Sequence, residues 1–249
     1  MSNVHPELEV FDDGPIRHIV FNRPAKLNAI RKDQHQRVID ALVKAEHESS
    51  VCLVAFSGRG SSFCCGDDLH EAMGPNGDRG WPVRYQRHLV DLDIGIGPLL
   101  LQEVTSIIRG FPKATAALMH GYAIGAGYDY ALSCDLRVIT EDCKFGDPRI
   151  HRALWSAEGW SYKLPRQVPA GHVARIAYLG ELLSGAQAVE IGLAHTLLPA
   201  GVPDIREAAR PLLLRIAAQD RAAYRATKAA LLDALDLPYP VALRDTGVR

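Results

Sequence analysis

Apolar and polar positions begin to alternate near the N-terminus. Leu8-Glu9-Val10-Phe11 and Ile16-Arg17-His18-Ile19-Val20-Phe21 flank Asp12-Asp13-Gly14-Pro15, which predicts a hairpin. A loop over 22–28 follows. From about 33 to 47 the apolar spacing becomes helical, with Val38, Leu42 and Val43 on the inner face. Residues 51–56 are continuously apolar and suit a strand covered on both faces, as in a parallel sheet beneath helices. Residues 73–87 hold Gly74, Pro75, Asn76, Gly77, Asp78, Gly80 and Pro82, the composition of a mobile loop over one face. The pattern then predicts a long helix over about 89–109, a strand over 114–119, a glycine-rich turn over 121–127 and a helix over about 126–133. Strands over 136–140 and 143–146 come next. Ser184-Gly185-Ala186-Gln187 has capping-box spacing and opens a short helix that Gly192 closes. A strand over 193–198 and helices over about 205–219 and 222–235 complete the reading. Strands and helices alternate early and helices cluster late, the pattern of an α/β core with a C-terminal helical region.

The length of 249 residues fits one large α/β domain, or a main domain with a small helical appendage. With 28 basic and 29 acidic residues, nothing favours nucleic acid or an anionic membrane surface as a partner. The longest apolar runs, such as 98–101 and 114–119, like the run over 51–56, are far shorter than a membrane span, and no secretory pattern opens the sequence, so a cytoplasmic protein is expected. The five cysteines form no C-x-x-C motif and their odd number suits no disulfide framework; Cys64-Cys65 reads as two buried thiols or as a vicinal redox pair.

Two junctions carry candidate chemistry: residues 57–69, containing Phe63-Cys64-Cys65-Gly66-Asp67-Asp68-Leu69, and residues 120–129, containing Gly121-Tyr122-Ala123-Ile124-Gly125-Ala126-Gly127-Tyr128-Asp129. Each follows a buried strand and leads into a helix. Amides at a helix start lack partners within the helix, and glycine neighbours let a ligand oxygen come close. Two such amides aimed at one point make an oxyanion hole, where each donor is worth roughly 3–4 kcal/mol in the transition state. One such junction alone is commonplace; two, in this wording and order, are specific.

The wording of these segments, with Asn22-Arg23-Pro24, Leu27-Asn28-Ala29, Cys134-Asp135-Leu136-Arg137, Phe145-Gly146-Asp147-Pro148 and Ile191-Gly192-Leu193-Ala194, resembles the crotonase superfamily, the enoyl-CoA hydratase/isomerase family. The resemblance spans nearly the whole chain. It implies an α/β fold with a spiral core of repeated ββα turns over 1–195 and a helical region over 196–249, assembled as homotrimers or pairs of trimers. It also implies an acyl-CoA substrate, coenzyme A entering only as part of that substrate, with no metal or separate cofactor. The thioester oxygen would sit between the amides of Asp67 and Ala126, which follow Gly66 and Gly125.

The acid–base pair departs from the family pattern. Hydratases of the family use two glutamates, and the matching positions here are Asp129 and Arg149. Asp129 keeps a carboxylate with a reach shorter by about 1.5 Å. Arg149 stays protonated and cannot shuttle protons, and losing a positioned acid or base typically costs about 10²–10⁴ in rate. The resemblance therefore points to isomerisation, atypical hydration or hydrolytic C–C cleavage of a β-diketone, or to a catalytically silent acyl-CoA-binding homologue. Arg149 could hold a carboxylate or carbonyl of the acyl group. Glu158 lies beside a position where relatives carry an alternative catalytic carboxylate; its other reading is a glutamate favoured by a helix start. His151 is a base or a structural histidine, Asp68 a helix cap near Leu69, and Asp147 a turn residue. Arg23, Lys26, His70 and Lys228 are candidate phosphate ligands or solvated surface charges. Trp81, Tyr85, Trp155 and Trp160 line the acyl pocket or belong to ordinary packing.

Overall fold

In a computed structural model, which describes residues 7–69, 100–154, 156 and 158–246, the chain forms two sheets wrapped by helices. The N-terminal hairpin is present as β1 (Leu8–Asp13) and β2 (Ile16–Phe21), followed by α1 (Lys32–His47) and β3 (Leu53–Gly58). Next come α2 (Leu100–Gly110), β4 (Ala114–Met119), β5 (Tyr122–Ile124), α3 (Ala126–Ser133), β6 (Leu136–Thr140) and β7 (Lys144–Gly146). Then follow the one-turn α4 (Trp160–Lys163), α5 (Ala170–Leu179), β8 (Leu183–Ser184), α6 (Gly185–Glu190) and β9 (Thr196–Leu198). The chain closes with α7 (Ile205–Ala217), α8 (Arg221–Ala234) and α9 (Tyr239–Thr246).

The main sheet has the order β1-β2-β3-β4-β6-β9; β1 is antiparallel to β2 and every later pair is parallel. A second sheet has the order β5-β7-β8. Strands of the main sheet lead repeatedly into the second layer: β4 into β5, β6 into β7, and β3 into Cys64, which forms a bridge with Ala123 of β5. This repetition winds the chain into a spiral. Strand β3 shows why its sequence is apolar throughout. Val54 and Phe56 face the core beneath α1 and α2, whereas Leu53 and Ala55 face α7 on the opposite side. Helix α7 meets that face with Ile205, Ala209 and Leu213, spaced one helical turn apart.

Helix α1 buries Val38, Ile39, Ala41, Leu42 and Ala45. Val43, expected on the inner face, is 46% exposed. It lies one residue past Leu42, about 100° around the helix, and so turns away from the core. Helices α4, α5 and α9 were not expected. The expected strand over 193–198 shortens to β9, which lies within the main sheet just past the boundary placed at residue 195. The loop expected over 73–87, the first part of the helix expected over 89–109, and His70, Trp81, Tyr85 and Trp155 lie outside the described residues.

Arg137, from the Cys-Asp-Leu-Arg segment, clamps the spiral. Its buried guanidinium donates to the carbonyls of Ala131, Cys134 and Leu193 and to Gln167 Oε1, at 2.6–3.1 Å. One side chain thus ties the C-terminal end of α3 to the segment around Leu193 and to Gln167. Among the described residues no helix is long and apolar enough to cross a membrane.

Candidate active site

The two glycine-rich junctions are stitched together. The N–H of Phe63 donates to the carbonyl of His120, that of Cys64 to Tyr122 and that of Ile124 to Cys64, at 2.8, 2.8 and 3.0 Å. These bonds carry residues 63–67 alongside β5 and up to the start of α3. Gly66 and Gly125 both have positive φ, 104° and 58°, where side-chained residues are strained. Their backbones abut: a Cβ on Gly125 would stand 3.2 Å from Gly66 Cα, and one on Gly66 would stand 3.4 Å from the Ala126 nitrogen.

The amides that follow these glycines are directed away from the ladder. Residue 67 pairs with Ile30 through flanking groups only, Ile30 N–H to Gly66 carbonyl and Asp68 N–H to Ile30 carbonyl, each at 2.8 Å. The Asp67 N–H therefore points to the opposite side, as alternate residues of a strand do. Ala126 is the first residue of α3, with Gly125 as its N-cap, so its N–H has no acceptor within the helix. The Asp67 side chain is held from behind: His35 on α1 bridges Asp67 Oδ1 at 3.0 Å and the buried Tyr130 hydroxyl at 2.9 Å.

Helix α3 is buried on every face. Asp129, at the end of its first turn, has a side chain with no exposed surface. Arg149, from the 3₁₀ turn at Pro148–Arg152, places its guanidinium among three carboxylates. Nη2 donates to Asp129 Oδ2 at 2.7 Å and to Asp147 Oδ2 at 2.9 Å, Nε donates to Asp147 Oδ1 at 2.6 Å, and Nη1 reaches Glu158 Oε2 at 3.4 Å. Asp147 also accepts the Arg149 N–H, fixing the turn that aims this side chain. The Ser156 hydroxyl lies 3.1 Å from Asp129 Oδ1, makes a very short contact with Glu158 Oε2, and accepts the Glu158 N–H at 3.3 Å.

Electrostatics follow from burial and charge count. Burial raises the Asp129 carboxyl to about 7, outweighing Arg149; Glu158 and Asp147 push in the same direction. Burial alone would lower the Arg149 guanidinium, but the carboxylates of Asp129, Asp147 and Glu158 outweigh it and hold the group firmly charged. Burial lowers Lys163, whose Nζ donates to Ser133 Oγ at 2.7 Å, to about 8. A carboxyl that titrates near neutrality can both take and give a proton at physiological pH.

Of the expected site residues, the structure brings Asp67, Ala126, Gly66 and Gly125 together at one place, and Asp129, Arg149 and Glu158 together at another along the same helix start. Ser156 and Lys163 were not anticipated. A serine two residues before a carboxylate is a turn-forming pattern that could have drawn attention to Ser156. The Arg23 guanidinium binds Asp68 Oδ2 at 2.9 Å and the Ala29 carbonyl at 2.7 Å, tying the loop after β2 to the residue 67–68 turn. The same pairing engages Asp68, and the helix it was expected to cap lies beyond Leu69, outside the described residues. Lys228 is likewise committed, to Asp135 at 2.9 Å. Lys26 is exposed and remains available to a phosphate. His151 is exposed, on the 3₁₀ turn. Burial raises both thiols; Cys64 is fully enclosed, whereas Cys65 is partly exposed with its Sγ 3.4 Å from the Lys26 carbonyl.

Comparison with known proteins gives a consistent picture. The family model for enoyl-CoA hydratase/isomerase matches residues 13–245. Crotonyl-CoA hydratase of Syntrophomonas wolfei is 26% identical over 215 residues, covering 85% of this chain and 76% of that protein. The peroxisomal Delta(3,5)-Delta(2,4)-dienoyl-CoA isomerase of Arabidopsis thaliana is 27% identical over 187 residues, covering 73% of this chain and 64% of that protein. A solved Pseudomonas aeruginosa protein superposes with a TM-score of 0.82 at 25% identity, covering 98% of both chains.

Proposed function

The chain belongs to the enoyl-CoA hydratase/isomerase family, and on that premise we propose that it moves a proton between carbons of an acyl-CoA thioester by way of an enolate. The thioester oxygen lies between the amides of Asp67 and Ala126, whose N–H groups stabilise the negative charge that forms as the α-proton leaves. Asp129 takes that proton and returns it, and Glu158 serves as the second proton carrier. The observation that carries this reading is the placement of Asp129, wholly buried one turn beyond Ala126, where burial raises its carboxyl toward neutrality. Arg149 occupies the place of the second family glutamate and binds Asp129 and Glu158 as well as Asp147. That arrangement supports isomerisation over hydration by a water held between two free carboxylates. The dienoyl-CoA isomerase among the relatives is consistent with this choice. Lys26 is the candidate contact for the nucleotide phosphates. Exposed Leu231, Leu235, Tyr239 and Leu243 on and between α8 and α9 suit burial in a homotrimer or a pair of trimers.

The test is turnover of 3-enoyl-CoA and 2-enoyl-CoA thioesters of increasing chain length. Turnover that Asp129→Asn abolishes, with thioester affinity retained, supports the proposal. One observation favours a second reading: Asp129 is wholly enclosed and paired with Arg149, which suits an acyl-CoA-binding homologue without chemistry. Tight binding of every thioester tried, with turnover of none, selects that reading.

A further inference from the structure

Proton counting around Ser156 leads beyond the two-carboxylate picture. Ser156 Oγ touches Asp129 Oδ1 at 3.1 Å and Glu158 Oε2 in a contact shorter than an ordinary hydrogen bond, and it accepts the Glu158 N–H. A hydroxyl has one proton to give. If it donates to one carboxylate, the other contact is a hydrogen bond only when that carboxyl brings its own proton. For both contacts to be hydrogen bonds at once, the three groups must hold two protons, one of them on a carboxyl. The surrounding charge agrees. Three acids (Asp129, Asp147 and Glu158) share the guanidinium of Arg149, and the ammonium of Lys163 lies one step away on Ser133. A shared proton relieves the excess negative charge.

Position adds a second argument. Among the described residues, the Asp129 carboxyl is hydrogen-bonded to Arg149 through Oδ2 and to Ser156 through Oδ1. Arg149 keeps its protons. Glu158 is the more exposed of the two acids, at 10% against 0%. Among the described residues, the hydrogen-bonded way out for a proton on Asp129 thus leads through the serine hydroxyl to Glu158. The Ser156 carbonyl accepts the Trp160 indole N–H at 3.2 Å, which anchors the serine at the start of α4.

We propose that Ser156 is a positioning residue that relays a proton between Asp129 and Glu158. In one direction the Glu158 carboxyl gives its proton to Ser156 Oγ while the serine proton passes to the Asp129 carboxylate. One O–H bond forms and one breaks at each step along the chain, the serine ends neutral, and a single proton has moved from Glu158 to Asp129. The relay rests on the reading of Asp129 as the proton carrier.

The experiment follows exchange of the acyl-CoA α-hydrogen with deuterium oxide by mass spectrometry, across pH, in wild type, Ser156→Ala, Ser156→Thr, Glu158→Gln and Asp129→Asn. Ser156→Ala is expected to slow exchange about 10²-fold and to move the limb of the pH profile near neutrality, with KM little changed. Ser156→Thr, which keeps the hydroxyl, is expected to recover most of the rate. Exchange at the wild-type rate with an unmoved profile in Ser156→Ala overturns the relay, as does a Ser156→Thr protein as slow as Ser156→Ala. Glu158→Gln removes the far end without touching the serine and is expected to slow exchange alike. A wild-type rate there overturns the relay even if Ser156→Ala fails to fold. Loss of exchange in Asp129→Asn with none in Ser156→Ala would remove the relay and leave the Asp129 reading intact. Unaltered exchange in Asp129→Asn would remove both.

Discussion

Replacing Asp129 with asparagine removes a buried titratable proton at nearly constant volume, and its consequence for stability has a definite sign. The folded chain holds this proton up to about pH 7, whereas the ordinary value is 3.8. Between those values the folded state binds a proton that the unfolded state has released, so stability falls as pH rises through the interval. Over the window from about pH 5 to about pH 8 the loss amounts to roughly 3 kcal/mol, an order-of-magnitude figure. Asparagine has no such proton. Denaturant unfolding of both proteins at each pH isolates the effect, because every other titrating group is common to the two. The stability difference should move in favour of Asp129→Asn by roughly 1–4 kcal/mol on going from the lower pH to the higher. Parallel pH dependences would show that Asp129 is an ordinary ionised carboxylate and would remove the basis for its acid–base role.

Other substitutions probe the surrounding parts. Arg149→Met leaves Asp129 and Asp147 buried without their cation and should lower stability by about 3–5 kcal/mol in denaturant unfolding. Gly125→Ala places a Cβ 3.2 Å from Gly66 Cα at a φ of 58°, so it should cost at least about 1 kcal/mol and impair turnover more than thioester binding, as read from kcat and KM. His35→Ala leaves the buried Tyr130 hydroxyl unpaired and frees the Asp67 side chain; a loss of about 1–3 kcal/mol is expected, with a fall in kcat from the loosened residue 67 turn.

The parts of this molecule that were legible in sequence are those whose burial imposes a period. The hairpin, β3, β4 and α3 each bury whole faces, and their apolar spacing says so. Helices α8 and α9 bury no residue fully; α8 still had an amphipathic pattern to read, whereas the short α9 was missed. The two glycine-rich junctions were legible because positive φ and close backbone approach demand glycine at fixed places. Polar partnerships were harder. Arg23 looked like a free loop cation because its partner Asp68 is 45 residues away. Ser156 and Lys163 sit in a segment without apolar rhythm, and their meaning comes from Asp129 and Ser133 on α3. Arg149 was recognised as a departure from the family pattern, but its ion pairs with three acids are a product of the fold.

The central claim is that an acyl thioester is converted to an enolate between the Asp67 and Ala126 amides, with Asp129 receiving the proton. Incubating the protein with an acyl-CoA in deuterium oxide, and following the α-carbon by NMR, tests it without knowledge of the natural acyl chain. The account predicts protein-dependent deuterium incorporation at that carbon, abolished by Asp129→Asn while the thioester still binds. A thioester that binds and never exchanges its α-hydrogen would contradict it.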